Sequence, residues 1–236
     1  MSRKLFPWIG ALVLVWSAVA CGQAQTTETT PVAVEVTTYP AEATMPADAN
    51  DTLPESAVLS PEEQADLLHM REEEKLARDV YLTLYEKWQL PVFQNIARSE
   101  QTHMDAVAAL LPAYGLEDPV AQTGDERGVF TDPDLQALYD QLVEQGSASI
   151  VDALTVGATI EDLDIKDLNE ALGRTDQEDI RLVYENLKKG SENHMRAFVS
   201  NLQSRGADYT PQYISEAEYQ AIVGSAVETD QGSANP

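Results

Sequence analysis

The sequence predicts an all-α domain, with four long helices paired as two antiparallel hairpins and an additional helix in the long crossover between them. Three observations carry this expectation. Ser60-Pro61-Glu62-Glu63 and Thr175-Asp176-Gln177-Glu178 each place a glutamate three residues after a hydroxyl side chain, the pattern of a capping box. Apolar residues then recur at steps of three and four, and no convincing alternation of a strand interrupts them. Finally, aligning His103 on His194 also aligns Met104 with Met195, Ala106 with Ala197, Leu111 with Leu202 and Gly115 with Gly206, which suggests a duplicated hairpin.

The first helix opens at Ser60, with Pro61 at its first position. Its apolar stripe runs through Leu67, Met70, Ala77, Tyr81, Leu84 and Trp88, and Glu74 falls inside that stripe, whereas Glu72 and Glu73 fall off it. The second helix runs from near Pro91 to Tyr114, is stopped by Gly115, and carries Ile96, Glu100, His103, Val107 and Leu110 on one face. Asp132-Pro133 opens a shorter helix to about Gln145. Ser147 or Ser149 then opens the third main helix, with Ile150, Leu154, Gly157, Glu161, Asp164 and Leu168 together. The fourth begins at the Thr175 box, aligns Ile180, Tyr184, Leu187, Ser191, His194 and Phe198, and ends at Gly206; a short last helix begins near Ser215. Glu74 and His103 stand nearly equidistant from the turn at Trp88 to Pro91, and Glu161 and Ser191 from the turn at Gly173 to Asp176, so each hairpin brings inward polar groups to one level.

Ahead of this domain, Arg3 and Lys4 precede the apolar run Leu5 to Ala20, which ends in Ala18-Val19-Ala20-Cys21. A short apolar run with basic residues before it and small residues after it suits cleavage rather than a membrane span. The junction resembles a bacterial lipobox, with Ala18 where leucine is commoner; plain secretion with a stray cysteine is the other reading. The predicted organisation is a signal peptide over 1–20, a lipidated Cys21 and disordered linker over 21–58, the helical domain over 59–223 and a disordered tail over 224–236. This places the protein in the bacterial cell envelope, lipid-anchored to a membrane and facing the periplasm or the exterior. The formal charge of −25 argues against a nucleic-acid partner and is compatible with divalent cations.

Only three histidines occur in the chain. Glu100 and His103, three apart on one helix face, can grip one metal ion, while a solvated acid beside an ordinary histidine is the bland alternative. His69 lies off the inward stripe and is assigned no role. Tyr81, two turns beyond Glu74 on the same face, reads as a core tyrosine with a satisfied hydroxyl, a hydrogen bond to a carboxylate from another helix being the alternative, and Met104 and Met195 read as packing residues.

Glu74-x-x-Ala77-x-x-x-Tyr81, Glu100-x-x-His103, Glu161-x-x-Asp164 and His194 together resemble the ferritin-like superfamily, with rubrerythrin the nearest pattern. The wider runs Met70-Arg71-Glu72-Glu73-Glu74-Lys75-Leu76-Ala77 and Ser191-Glu192-Asn193-His194 resemble the bacterial family labelled domain of unknown function 2202. The resemblance implies a ferritin-like antiparallel four-helix bundle holding one or two ions of iron or manganese, zinc also being admissible. By that resemblance Glu74 and His103 hold one ion, Glu161 and His194 the other, Glu100 bridges, and Asp164 completes the second site or arranges solvent. The pattern departs at Ser191, where the family places a glutamate three before His194; Glu192 is turned about 100° away.

Three functions are therefore expected to compete. The first is an iron-dependent oxidoreductase of ferroxidase or peroxidase type using oxygen or peroxide, with an unidentified electron donor because rubrerythrin's cysteine pairs are missing. The second is a non-catalytic helical lipoprotein that sequesters metal or binds a partner. The third is a structural bundle whose inward acids are satisfied by Arg71, Lys75, Arg78 or water. A homodimer is compatible with all three.

Overall fold

A computed structural model describes residues 58–226, and the expected signal peptide, Cys21, nearly all of the expected linker and most of the expected tail lie outside them. The described residues form seven α-helices and no strand: α1 Pro61–Trp88, α2 Pro91–Leu110, α3 Pro119–Gln122, α4 Pro133–Gly146, α5 Ile150–Leu172, α6 Glu178–Gln203 and α7 Glu216–Gly224. No helix among them is long and apolar enough to cross a membrane.

Local chemistry sets most of the boundaries. Ser60 accepts from the Glu63 N–H while the Glu63 carboxylate accepts from the Ser60 N–H, closing the expected capping box. Asp132 caps α4 and Ser149 caps α5. Beyond α2 the chain tightens into a 3₁₀ turn, Leu111–Tyr114, and stops at Gly115 with φ of 68°. Gly206, its counterpart in the internal alignment, has φ of 73°, so the echo extends to the left-handed stop after each hairpin. The fourth main helix departs from expectation. It begins at Glu178, after Gln177, because the Thr175 hydroxyl donates to Glu63 Oε1 at 2.7 Å and accepts from the Gln177 N–H, so it tethers a turn to α1 instead of capping α6. The four-residue α3 is an element that no periodicity announced.

α1 packs along α2 and α5 along α6, while α2 meets α6 and α1 meets α5. The core divides into two apolar clusters. One gathers Leu76, Val80, Tyr81, Phe93, Ile96, Leu154, Ile160 and Phe198, and the other Leu67, Met70, Val107, Leu110, Leu168, Ile180, Tyr184 and Leu187. Each long helix contributes to both clusters and places its polar residues between them. α1 and α6 pass from the second cluster to the first, whereas α2 and α5 run the other way, so each hairpin is antiparallel. The connection from α2 to α5 must return along the length of the domain. α4 accompanies that return, packing on α1 and α5.

α1 is buried on every side over Met70–Tyr81. Glu72 and Glu73, expected off the stripe, are therefore corrected to buried positions, 3% and 2% exposed. Glu72 accepts from the Thr131 N–H at 2.6 Å, the Thr131 hydroxyl at 2.7 Å and the Asp132 N–H at 3.1 Å, pinning the start of α4 to α1.

Candidate metal centre

Between the apolar clusters lie Glu74 from α1, Glu100 and His103 from α2, Glu161 and Asp164 from α5, and His194 from α6, none more than 6% exposed. All six sequence-predicted ligands thus reach one buried layer. Glu100 stands at its middle. His103 Nδ1 lies 2.9 Å from Glu100 Oε2 and 3.2 Å from Glu74 Oε2, and His194 Nδ1 lies 3.0 Å from Glu100 Oε1 and 3.5 Å from Glu161 Oε2. The two imidazoles stack at 5.6 Å. Two sets of three donors, Glu74/Glu100/His103 and Glu100/Glu161/His194, therefore share one carboxylate.

The electrostatics follow from burial. Desolvation raises Glu74 and Glu161 to about 7, each partly relieved by its own imidazole. Burial opposes charge on Glu100 as well, yet His194 and His103 on its two sides hold it below the ordinary carboxylate range. Both imidazoles are desolvated but held well above their ordinary value by the carboxylates around them. Burial and the neighbouring Glu74 and Glu73 raise Asp164.

The three basic residues expected to satisfy these acids in a purely structural bundle are engaged elsewhere. Arg71 binds Asp118 and the Met104 carbonyl, Lys75 binds Asp79 and the Glu126 carbonyl, and Arg78 binds Asp79, Gln101 and Asp125. Four carboxylates thus face two imidazoles, and Glu74 Oε1 and Asp164 Oδ1 accept no hydrogen bond. An oxygen-rich donor set of this kind, with carboxylate oxygens left over, fits a divalent cation.

Asp164 pairs with Ser191 at the edge of the layer. The Ser191 hydroxyl donates to Asp164 Oδ2 and lies 2.9 Å from the Leu187 carbonyl, so Ser191 is level with Asp164 while Glu161 is level with His194. The expected Glu161–Ser191 pairing is corrected by about one helical turn, because the connection before α6 extends to Gln177. Asp164 accordingly stands beside the two donor sets and belongs to neither. Glu192 is outside the layer, 3.6 Å from Arg196.

Two further contacts support the layer, of which only the one from Tyr81 had a sequence signal. Ser99 Oγ lies 3.0 Å from His194 Nε2, holding the ring so that Nδ1 faces inward, but its partner in the internal alignment is Gly190 and the echo is silent there. The Tyr81 hydroxyl donates to Glu161 Oε1 at 2.5 Å, so this core tyrosine also orients a candidate ligand.

The model of the uncharacterized protein domain DUF2202 matches residues 63–226, which contain this whole layer. The chain belongs to the DUF2202 family. The uncharacterized protein MJ0754 of Methanocaldococcus jannaschii is 61% identical over 170 residues, covering 72% of this chain and 91% of that protein. The crystal structure of hypothetical protein MJ0754 from Methanococcus jannaschii DSM 2661 superposes with a TM-score of 0.72 at 60% identity, covering 75% of this chain and 100% of that one. That relative is archaeal, where the sequence reading expected a bacterial family.

Proposed function

We propose that this protein is an envelope-anchored metal-binding protein of ferritin-like architecture, an antiparallel four-helix bundle with α3 and α4 in its crossover, acting as an iron-dependent oxidoreductase on oxygen or peroxide. The supporting observation is the shared carboxylate. Glu100 directs one oxygen to each imidazole, and Glu74 and Glu161 complete two adjoining donor sets, while Arg71, Lys75 and Arg78 are paired with other acids. Glu74, Glu100 and His103 would hold one ion, and Glu100, Glu161 and His194 a second. Bound iron would supply redox electrons and a coordination position for the oxidant.

The protein's own contribution is arrangement and exclusion of water. Tyr81 fixes Glu161, Ser99 fixes His194, and apolar clusters close the layer at both ends. The same donors suit manganese, and zinc is admissible. Anchoring would come from lipid on Cys21. The test of turnover is consumption of oxygen or hydrogen peroxide after ferrous iron is added anaerobically to the full-length protein. Consumption that is lost in His103→Ala supports the oxidoreductase reading.

One observation favours a non-catalytic, metal-sequestering or partner-binding protein instead. Ser191 stands where the ferritin-like pattern has a fourth-helix glutamate, and its hydroxyl engages Asp164. Ser191→Glu would supply the missing carboxylate. Metal retention without oxidant consumption in both wild type and Ser191→Glu would establish the non-catalytic reading.

A further inference from the structure

One ionisable cluster is left unused by the buried layer. His69 and Glu73, four apart on α1, meet Asp167 from α5, one turn along from Asp164. His69 Nε2 lies 3.6 Å from Glu73 Oε2 and 4.0 Å from Asp167 Oδ2. Glu73 is 2% exposed, and neither of its oxygens accepts a hydrogen bond. The His69 side chain, by contrast, is 40% exposed. Lys166 engages Asp167 Oδ1 at 2.7 Å, which leaves Oδ2 as the oxygen nearer His69.

We propose that His69, Glu73 and Asp167 form a second metal site, open to solvent, which takes one divalent cation of the iron, manganese or zinc type with water completing its coordination. Metal bonds to imidazole nitrogen and carboxylate oxygen are about 2.0–2.2 Å, so donors sharing one ion stand up to roughly 4.3 Å apart. The two measured separations fall within that reach. One donor atom from each residue lies within 4.8 Å of the other two, so closure needs only small side-chain movements.

A cation also explains why a buried acid meets no hydrogen-bond donor and has another carboxylate, Asp167, within hydrogen-bonding reach. Glu73 cannot be satisfied by His69 alone, because the acid faces a second carboxylate at Asp167 and a third at Glu74; burial first, and then these neighbours, raise its pKa. On its open side His69 lines a groove with Asp66, Glu72, Glu117, Asp132 and Asp134, an acidic approach that concentrates cations. The competing occupant is a proton shared by Glu73 and Asp167.

The full-length protein labelled with ¹⁵N-histidine has three imidazoles to follow. Titration with zinc(II) should shift the His69 ring signals to saturation, and Glu73→Gln and Asp167→Asn should each weaken that response about tenfold or more while the ring remains to report it. Two isosteric variants on different helices guard against loss of fold in one of them. A His69 ring unmoved by millimolar zinc, or moved equally in wild type and both variants, overturns the site. So does carboxyl ¹³C titration showing a proton shared by Glu73 and Asp167 that zinc does not displace. His103 and His194 report separately on the buried layer: their silence beside a responding His69 leaves this site standing apart from the proposed function, which the ferrous titration tests.

Discussion

Glu72→Ala should destabilise the protein markedly while leaving its metal content unchanged. The carboxylate accepts three hydrogen bonds from Thr131 and Asp132, at 2.6, 2.7 and 3.1 Å, across 59 or 60 positions of sequence. Hydrogen bonds to a charged acceptor are worth roughly 1.5–3 kcal/mol each. Thr131 is exposed, so water can replace part of what is lost, and removing a buried carboxylate recovers some desolvation. The net cost is then about 2–3 kcal/mol. For a domain of this size that corresponds to a fall in Tm of about 5–10 °C. Urea denaturation with circular dichroism gives the free energy, and elemental analysis gives the metal content. Glu72→Gln should lie between wild type and Glu72→Ala, since the amide retains one acceptor but turns a donor toward a donor. A loss below about 0.5 kcal/mol in Glu72→Ala would refute the reasoning, because it would mean that the crossover is held without this clamp.

Gly157→Ala would place a Cβ 2.4 Å from Phe198 Cε1, in a cluster where Phe198 also packs on Tyr81 and Phe93, so a cost of about 1–3 kcal/mol is expected in the same denaturation assay. The metal-free protein should lose stability as pH rises. Glu74 and Glu161, raised to about 7 from 4.5, leave the folded state with more bound protons than the unfolded chain across that window, and His103 and His194, raised above 6.5, extend the same sign to higher pH. Glu100, shifted downward, acts in the opposite sense, and its contribution is lost only as pH falls below 4.5. Tm measured from pH 5 to 8 should therefore fall, while apparent metal affinity should rise as the cation displaces these protons. Cys21→Ser should abolish lipid labelling and move the protein out of the membrane fraction; unchanged retention would count against the anchor.

The helices and most of the inward polar residues of the layer were legible because they obey local rules. Ser60, Asp132 and Ser149 cap through their own side chains, and Glu74, Glu100, Glu161, Asp164 and His194 interrupt apolar stripes. What escaped depends on distant partners. Burial of α1 on all faces erases its stripe, so Glu72, Glu73, Lys75 and Asp79 give no periodic signal although each is enclosed. Lys75 is neutralised by Asp79 and capped by the Glu126 carbonyl, a residue brought back by the crossover. The helix start at Thr175 was misplaced because its hydroxyl is claimed by Glu63 on α1. A one-turn slip in pairing Glu161 came from the same connection. His69 looked idle because its companion Asp167 arrives from another helix.

Anaerobic ferrous titration of full-length wild type and Glu100→Gln, with bound iron counted by elemental analysis and Tm recorded at each step, tests the central claim most directly. Glu100 belongs to both buried donor sets, so its loss should remove the iron of that layer and the accompanying rise in Tm together, leaving only iron bound elsewhere. Equal iron content and equal Tm shifts in the two proteins would contradict a metal centre at this layer.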